Sequence, residues 1–91
     1  MADVVWRPDA PEYLDDAIDY IRQFAPPAAD QVGTTLIHLG ASLTDFPRRG
    51  RPAANDIREL VTVPPYILTY RVVDDTVYIL SIRHGARRPI D

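Results

Sequence analysis

Cysteine is absent from the 91-residue chain, which removes disulfides, thiolate nucleophiles and cysteine-ligated zinc or iron–sulfur sites together. Lysine is absent too, and all ten basic residues are arginine. Arginine stays charged when partly buried and offers a planar fork to carboxylates, phosphates and aromatic rings; a compositional habit of the source genome accounts for the missing lysine equally well. No apolar run approaches the roughly 18 residues of a membrane span. Met1-Ala2-Asp3 lacks the basic start and apolar stretch of an export signal, so a cytoplasmic chain without membrane contact is expected. Serine is scarce: only Ser42 and Ser81 occur, both inside regular elements rather than on the sharp turn a serine nucleophile needs. The two histidines, His38 and His84, are isolated, and no pair at helical spacing offers itself to a metal. Arg49-Gly50-Arg51 is too short for a phosphate-cradling loop. Neither cofactor nor metal is expected.

What is present is an ordinary soluble composition, 25% charged and 46% hydrophobic, in a single domain covering residues 1–91. A chain of this size buries roughly 60–65% of its unfolded surface, enough for one modest core. The net charge of −3 is unevenly spread. Residues 1–30 carry seven acids against Arg7 and Arg22, residues 31–44 carry no formal charge, and residues 45–91 carry eight arginines against six acids. An acidic front and an arginine-bearing back predict two different faces.

Val4-Val5-Trp6 reads as a short strand. Asp9-Ala10-Pro11-Glu12 then has the form of a helix start, with Asp9 as cap and Pro11 in the first turn. Leu14, Ala17, Ile18, Ile21 and Phe24 recur at intervals of three and four, opposite an acidic face of Glu12, Asp15, Asp16 and Asp19. Pro26-Pro27 closes this helix and opens a second, with apolar Ala29, Val32, Leu36, Leu39 and Leu43. Gly33 and Gly40 on it permit a close neighbour. Phe46-Pro47 ends it, and Arg48-Arg49-Gly50-Arg51-Pro52 is a basic loop. Strands are predicted over 57–63, 66–72 and 76–83, the last two joined by an Asp74-Asp75 turn. The order βααβββ predicts an α+β fold: a helical hairpin packed on a small, largely antiparallel β-sheet.

Alternation puts Ile67, Thr69 and Arg71 on one face of the 66–72 strand and Tyr66, Leu68, Tyr70 and Val72 on the other. Ser81 and Arg83 share a face of the last strand, opposite Tyr78, Leu80 and Ile82. Tyr66, Tyr70 and Tyr78 are expected to fill the sheet–helix interface. The candidate binding residues are therefore Arg58, Arg71 and Arg83, with His84, Arg87 and Arg88 beyond. They suit a phosphate or the acidic side of a partner, or pair locally with Asp56, Glu59, Asp74 or Asp75. His84 is either an acid–base group or a satisfied histidine at a strand end.

Several segments together resemble the ParE toxins of the RelE/ParE superfamily. They are Trp6…Ala10, Tyr20-Ile21, Pro26-Pro27-Ala28-Ala29, Leu43…Phe46-Pro47…Gly50-Arg51, Ile57-Arg58-Glu59-Leu60, Pro65-Tyr66-Ile67-Leu68-Thr69-Tyr70-Arg71-Val72 and Val77-Tyr78-Ile79-Leu80…Arg83-His84-Gly85-Ala86-Arg87. The likeness runs through nearly the whole chain. It implies a toxin of a bacterial type II toxin–antitoxin module, neutralised by a ParD-like antitoxin whose C-terminal segment wraps it. One branch of this superfamily poisons DNA gyrase and the other cuts mRNA in the ribosome, and a shared fold does not choose between them.

The residues lean toward the first branch. Superfamily nucleases often place Arg or Lys before the tyrosine of the third strand, where this chain has Ile67-Leu68-Thr69 before Tyr70. Near the C-terminus His84 is followed by Gly85 rather than an aromatic. A nuclease site of Arg58, Arg71, Arg83 and His84 would lack a clear second proton-transfer group, and the net negative charge is poorly suited to gripping RNA. The expectation is a binding inhibitor of gyrase with no catalytic residues, touching nucleic acid only through its antitoxin complex. An mRNA endonuclease or a non-toxic interaction module of the same fold are the alternatives.

Overall fold

The computed structural model describes residues 1–63 and 65–85. In chain order it contains β1 (Asp3–Trp6), α1 (Ala10–Phe24), α2 (Pro26–Ala41), β2 (Arg51–Pro52), β3 (Ile57–Val63), β4 (Tyr66–Val73) and β5 (Thr76–His84), with single 3₁₀ turns at Ser42–Thr44 and Ala54–Asp56. One five-stranded sheet runs β1-β5-β4-β3-β2. β1 lies parallel to β5, and every other neighbouring pair is antiparallel. The helical hairpin on a largely antiparallel sheet is the α+β architecture that periodicity predicts.

One strand was not legible. Arg51 and Pro52, inside the expected basic loop, pair with Glu59 and Arg58 of β3. Proline is tolerated there because β2 is the outer edge, where a missing N–H leaves no ladder bond unmade. The chain returns from β2 through Asn55 and Asp56, both left-handed at φ 61° and 60°; their short polar side chains make them the non-glycine residues that accept this region most readily.

The helix start also departs from expectation. Asp9 makes no side-chain cap bond; its φ of −84° and ψ of −16° are already helical, whereas a capping side chain works from extended backbone. The turn is closed instead by the Ala10 N–H donating to the Arg7 carbonyl at 2.9 Å. α1 buries Ala10, Leu14 and Ala17, and Ile18 and Ile21 pack partly against the core. Phe24, expected in that stripe, is 71% exposed. It occupies the last turn of α1 and touches Tyr20 ring to ring at 5.2 Å. α2 delivers Ala29 and Leu36 to full burial, and Leu43 follows from the turn after it. Gly40 allows α2 onto the sheet: a Cβ there would stand 2.9 Å from Ile79 Cδ1 and 3.1 Å from Trp6 Cζ2.

The largest surprise is in β5. The ladder pairs Thr69 with Ser81 and the adjacent Tyr70 with Ile79, so Leu80 is an extra residue in a β-bulge. Val77 and Ile79 are therefore fully buried against the helices, and Ile82 is buried beyond the bulge. Tyr78, expected in the sheet–helix interface, lies opposite Arg71 on the helix-free face, and Leu80 accompanies it there. Tyr66 and Tyr70 do fill the core. The Tyr70 hydroxyl accepts a 2.8 Å hydrogen bond from the buried Gly50 N–H, tying the loop before β2 to the sheet.

That bond generates a test. Tyr70→Phe leaves the Gly50 amide without its acceptor, and is expected to lower unfolding free energy by about 1–3 kcal/mol, read as a reduced urea midpoint with an unchanged slope.

Candidate functional site

Among the described residues the sheet has helices on one face, so the other must be a polar surface or find a partner. Its side chains come from Ile57 and Glu59 on β3, Thr69 and Arg71 on β4, and Leu80, Ser81 and Arg83 on β5. With Arg7 and Asp9 from the β1–α1 connection and Tyr13 from the first turn of α1 they line a cleft of about 620 Å³, bounded at its far end by Ala53, Ala54 and Asn55. Alternation and the register bring these residues together: Glu59 opposes Thr69, and Thr69 opposes Ser81.

Glu59 organises the cleft. Its Oε2 accepts from the Arg83 guanidinium at 3.0 Å and its Oε1 from Arg51 at 3.2 Å. The first pair is sequestered, with side-chain exposures of 10% for Arg83 and 14% for Glu59. Removal from water costs each ion dearly, and their mutual attraction together with good hydrogen bonds repays it. The Thr69 and Ser81 hydroxyls hydrogen-bond each other at 2.5 Å, completing a polar strip across three strands. Arg71 donates from one terminal nitrogen to the Asn55 carbonyl at 3.2 Å. Its Nε is shielded from solvent and has no partner among the described residues.

The other candidate residues go elsewhere. Arg58 pairs with Tyr70 in the ladder, and its guanidinium donates to the carbonyls of Gly50 at 2.7 Å and Arg48 at 3.2 Å. It is a brace for the loop before β2. His84 follows Arg83 and so points to the opposite, helix-covered side of the sheet. There its ring meets Tyr66 edge-on at 5.7 Å and Tyr20 at 6.3 Å. Arg71 and Arg83 thus share the cleft, while Arg58 and His84 do not. Arg87 and Arg88 lie outside the described residues.

The cleft also contains groups that sequence reading passed over. Arg7, Asp9 and Tyr13 carry no pattern that distinguishes them from a strand exit and a helix start; only the parallel docking of β1 beside β5 brings them near Arg83. Glu59 was legible as a possible partner but not as a bridge, because Arg51 was read as loop. Among the described residues no three His, Cys, Asp or Glu side chains gather into a metal site, and no helix is long and apolar enough to cross a membrane. The arrangement can hold an anionic group against Arg71 and Arg83 and can seat an apolar one on Ile57 and Leu80.

Comparisons with known proteins bear on both the family and the fold. The family model described as "ParE toxin of type II toxin-antitoxin system, parDE" matches residues 4–89. A curated relative, "Toxin RelE2" of Caulobacter vibrioides, is 47% identical over 87 residues, covering 96% of this chain and 99% of that protein. Among solved structures, a chain of the "Chromosomal ParDE TA system from P. aeruginosa" superposes with a TM-score of 0.80 at 22% identity, over 92% of this chain and 96% of the other.

The two arms of Glu59 differ in burial, and substitution separates them. Glu59→Gln removes the carboxylate charge that faces the largely buried Arg83 and should cost about 1–3 kcal/mol of stability, whereas Arg51→Ala removes a partner that is 59% exposed and should cost less than about 1 kcal/mol. Denaturant unfolding of both variants measures the difference.

Proposed function

The chain belongs to the ParE toxin family of type II toxin–antitoxin systems, and from that premise we propose that it arrests growth by docking onto DNA gyrase and breaks no covalent bond. One observation carries this reading: Arg83 and His84 leave β5 on opposite faces, with the His84 ring in edge contact with Tyr20 and Tyr66. Cutting RNA requires an acid–base group within hydrogen-bond reach of the proton it moves, beside groups that stabilise the phosphate. Here the imidazole and the guanidinium sit across the thickness of the sheet. Of the two carboxylates lining the cleft, Asp9 and Glu59, Glu59 has both oxygens engaged by arginines, which favours an ion-pair anchor over a free base at that position. The net charge of −3 also disfavours a broad grip on ribosomal RNA.

A ParD-like antitoxin is the neutralising partner in this reading, as the ParDE pairing of the P. aeruginosa neighbour supports. Its acids would meet Arg71 and Arg83 in the cleft. Its apolar side chains would cover the exposed Tyr20 and Phe24 at the end of α1. A second reading, the ribosome-dependent endonuclease, draws on Tyr13 beside Arg7, Arg71 and Arg83 in the cleft and on the RelE2 name of the Caulobacter relative.

The two separate in one pair of assays. Purified toxin is expected to inhibit supercoiling by gyrase and to accumulate cleaved DNA, with antitoxin reversing both, while mRNA on translating ribosomes stays intact. Transcripts cut at ribosomes, with loss of cutting in Tyr13→Phe or Arg83→Ala and no effect on gyrase, would overturn the docking mechanism.

A further inference from the structure

We propose that the free edge of β1 pairs with the same edge of a second copy of this chain, antiparallel about a two-fold axis at Val5. Backbone polarity sets the possible registers. The Asp3 and Arg7 N–H groups donate inward, to the Asp75 and Ile79 carbonyls at 2.9 Å each. The two-residue period of a strand then turns the N–H and C=O groups of Val4 and Trp6 to the outer edge. Among the described residues β1 is the last strand on that side of the sheet. The available stretch is short at both ends: the Ala2 N–H is taken by the Thr44 carbonyl at 2.9 Å, and Pro8 has no N–H to give.

An antiparallel neighbour must match outward residues with outward residues. Placing Val4 opposite Trp6 of the second copy, and Trp6 opposite its Val4, uses all the outward groups of both strands. In this register Val5 faces Val5 across the axis, and Asp3 faces Arg7 of the second copy, twice by symmetry. The sequence Asp3-Val4-Val5-Trp6-Arg7 is thus complementary to itself in charge, and it sets a β-branched side chain against an aromatic, a favourable cross-strand pair. Symmetric use of one patch by both chains is the usual form of a homodimer contact.

The ground beside this edge is prepared for burial. A groove of about 530 Å³ runs between β1 and α2, lined by Val4, Trp6, Ile37, Ala41 and Thr44 with the chain start. Ile37 is 48% exposed and Val5 43%. Residues 31–44, which include most of α2, carry no formal charge at all, in contrast to the acidic outer face of α1. Pairing the two edges would bring one α2 toward the other and cover these side chains.

The mass of the purified toxin, followed by light scattering on a size-exclusion column through a dilution series, tests this. The wild-type chain should run at twice its single-chain mass. Asp3→Arg and Arg7→Asp each place like charges opposite one another, so each alone should weaken the dimer about tenfold or more and run as a monomer. Mixed in equal amounts they regain opposite charges at both positions, and the double mass should return. Val5→Lys breaks the pair on the axis by an independent route. All three side chains are exposed, so circular dichroism should show every variant folded. A wild-type chain of single mass throughout, as when this edge serves an antitoxin instead, would overturn the proposal. So would reversals that leave the dimer intact, or a mixture that fails to restore it.

Discussion

The extra residue at Leu80 decides which chemistry faces which side of this protein. β5 is bonded both to β1 in parallel and to β4 in antiparallel fashion, so its side-chain phase is imposed on both neighbours. Without the bulge, a strand that buries Val77 and Ile79 would also bury Ser81 and Arg83, and would turn Ile82 out. With it, the apolar residues on either side of Leu80 reach the same helices, and Arg83 is delivered to the face where Glu59 waits. Bulges commonly re-aim a side chain next to a functional surface, and this one sets Arg83 on the cleft face and His84 on the helix-covered face.

The fold was legible because the sequence signals for it are mutually consistent. Prolines at 26 and 27 bound two helices whose apolar residues repeat at helical spacing, and Asp74-Asp75 marks the turn between two alternating runs. What escaped was whatever depends on register. Tyr78 and Leu80 belong by simple alternation with Ile82, and no local feature of Tyr78-Ile79-Leu80-Ser81 announces that the count slips there. The Arg51–Pro52 strand escaped for a related reason: two residues have no period, and proline argues against a strand unless the edge is known. Phe24 has the right spacing for the core, but spacing does not say where the sheet beneath a helix ends.

The site was half legible. Arg71 and Arg83 follow from alternation, and the structure places both in the cleft. Arg58 on β3 and His84 on β5 rank equally with them by composition, yet one bonds to backbone carbonyls and the other meets tyrosines edge-on. A guanidinium has five donors in a fixed fork, and which acceptors it meets depends on tertiary neighbours. Arg58 meets the Gly50 and Arg48 carbonyls only because Tyr70 holds that loop against the sheet.

The surface divides by charge in a way that suits recognition. α1 turns Glu12, Asp15, Asp16 and Asp19 outward, α2 presents an uncharged flank, and the helix-free face carries arginines around the engaged Glu59 carboxylate. Each surface repels or ignores what another attracts, so distinct partners can be held without competing for one patch. Arg83 and Glu59 reinforce this economy. Largely removed from water, the pair contributes little net stability against an apolar alternative, but it fixes the direction of the guanidinium before any partner arrives. A side chain already ordered loses little freedom on binding. Preorganisation of that kind raises affinity whether or not a proton moves, and in this cleft it stands beside hydroxyls bonded to each other and the apolar Ile57 and Leu80.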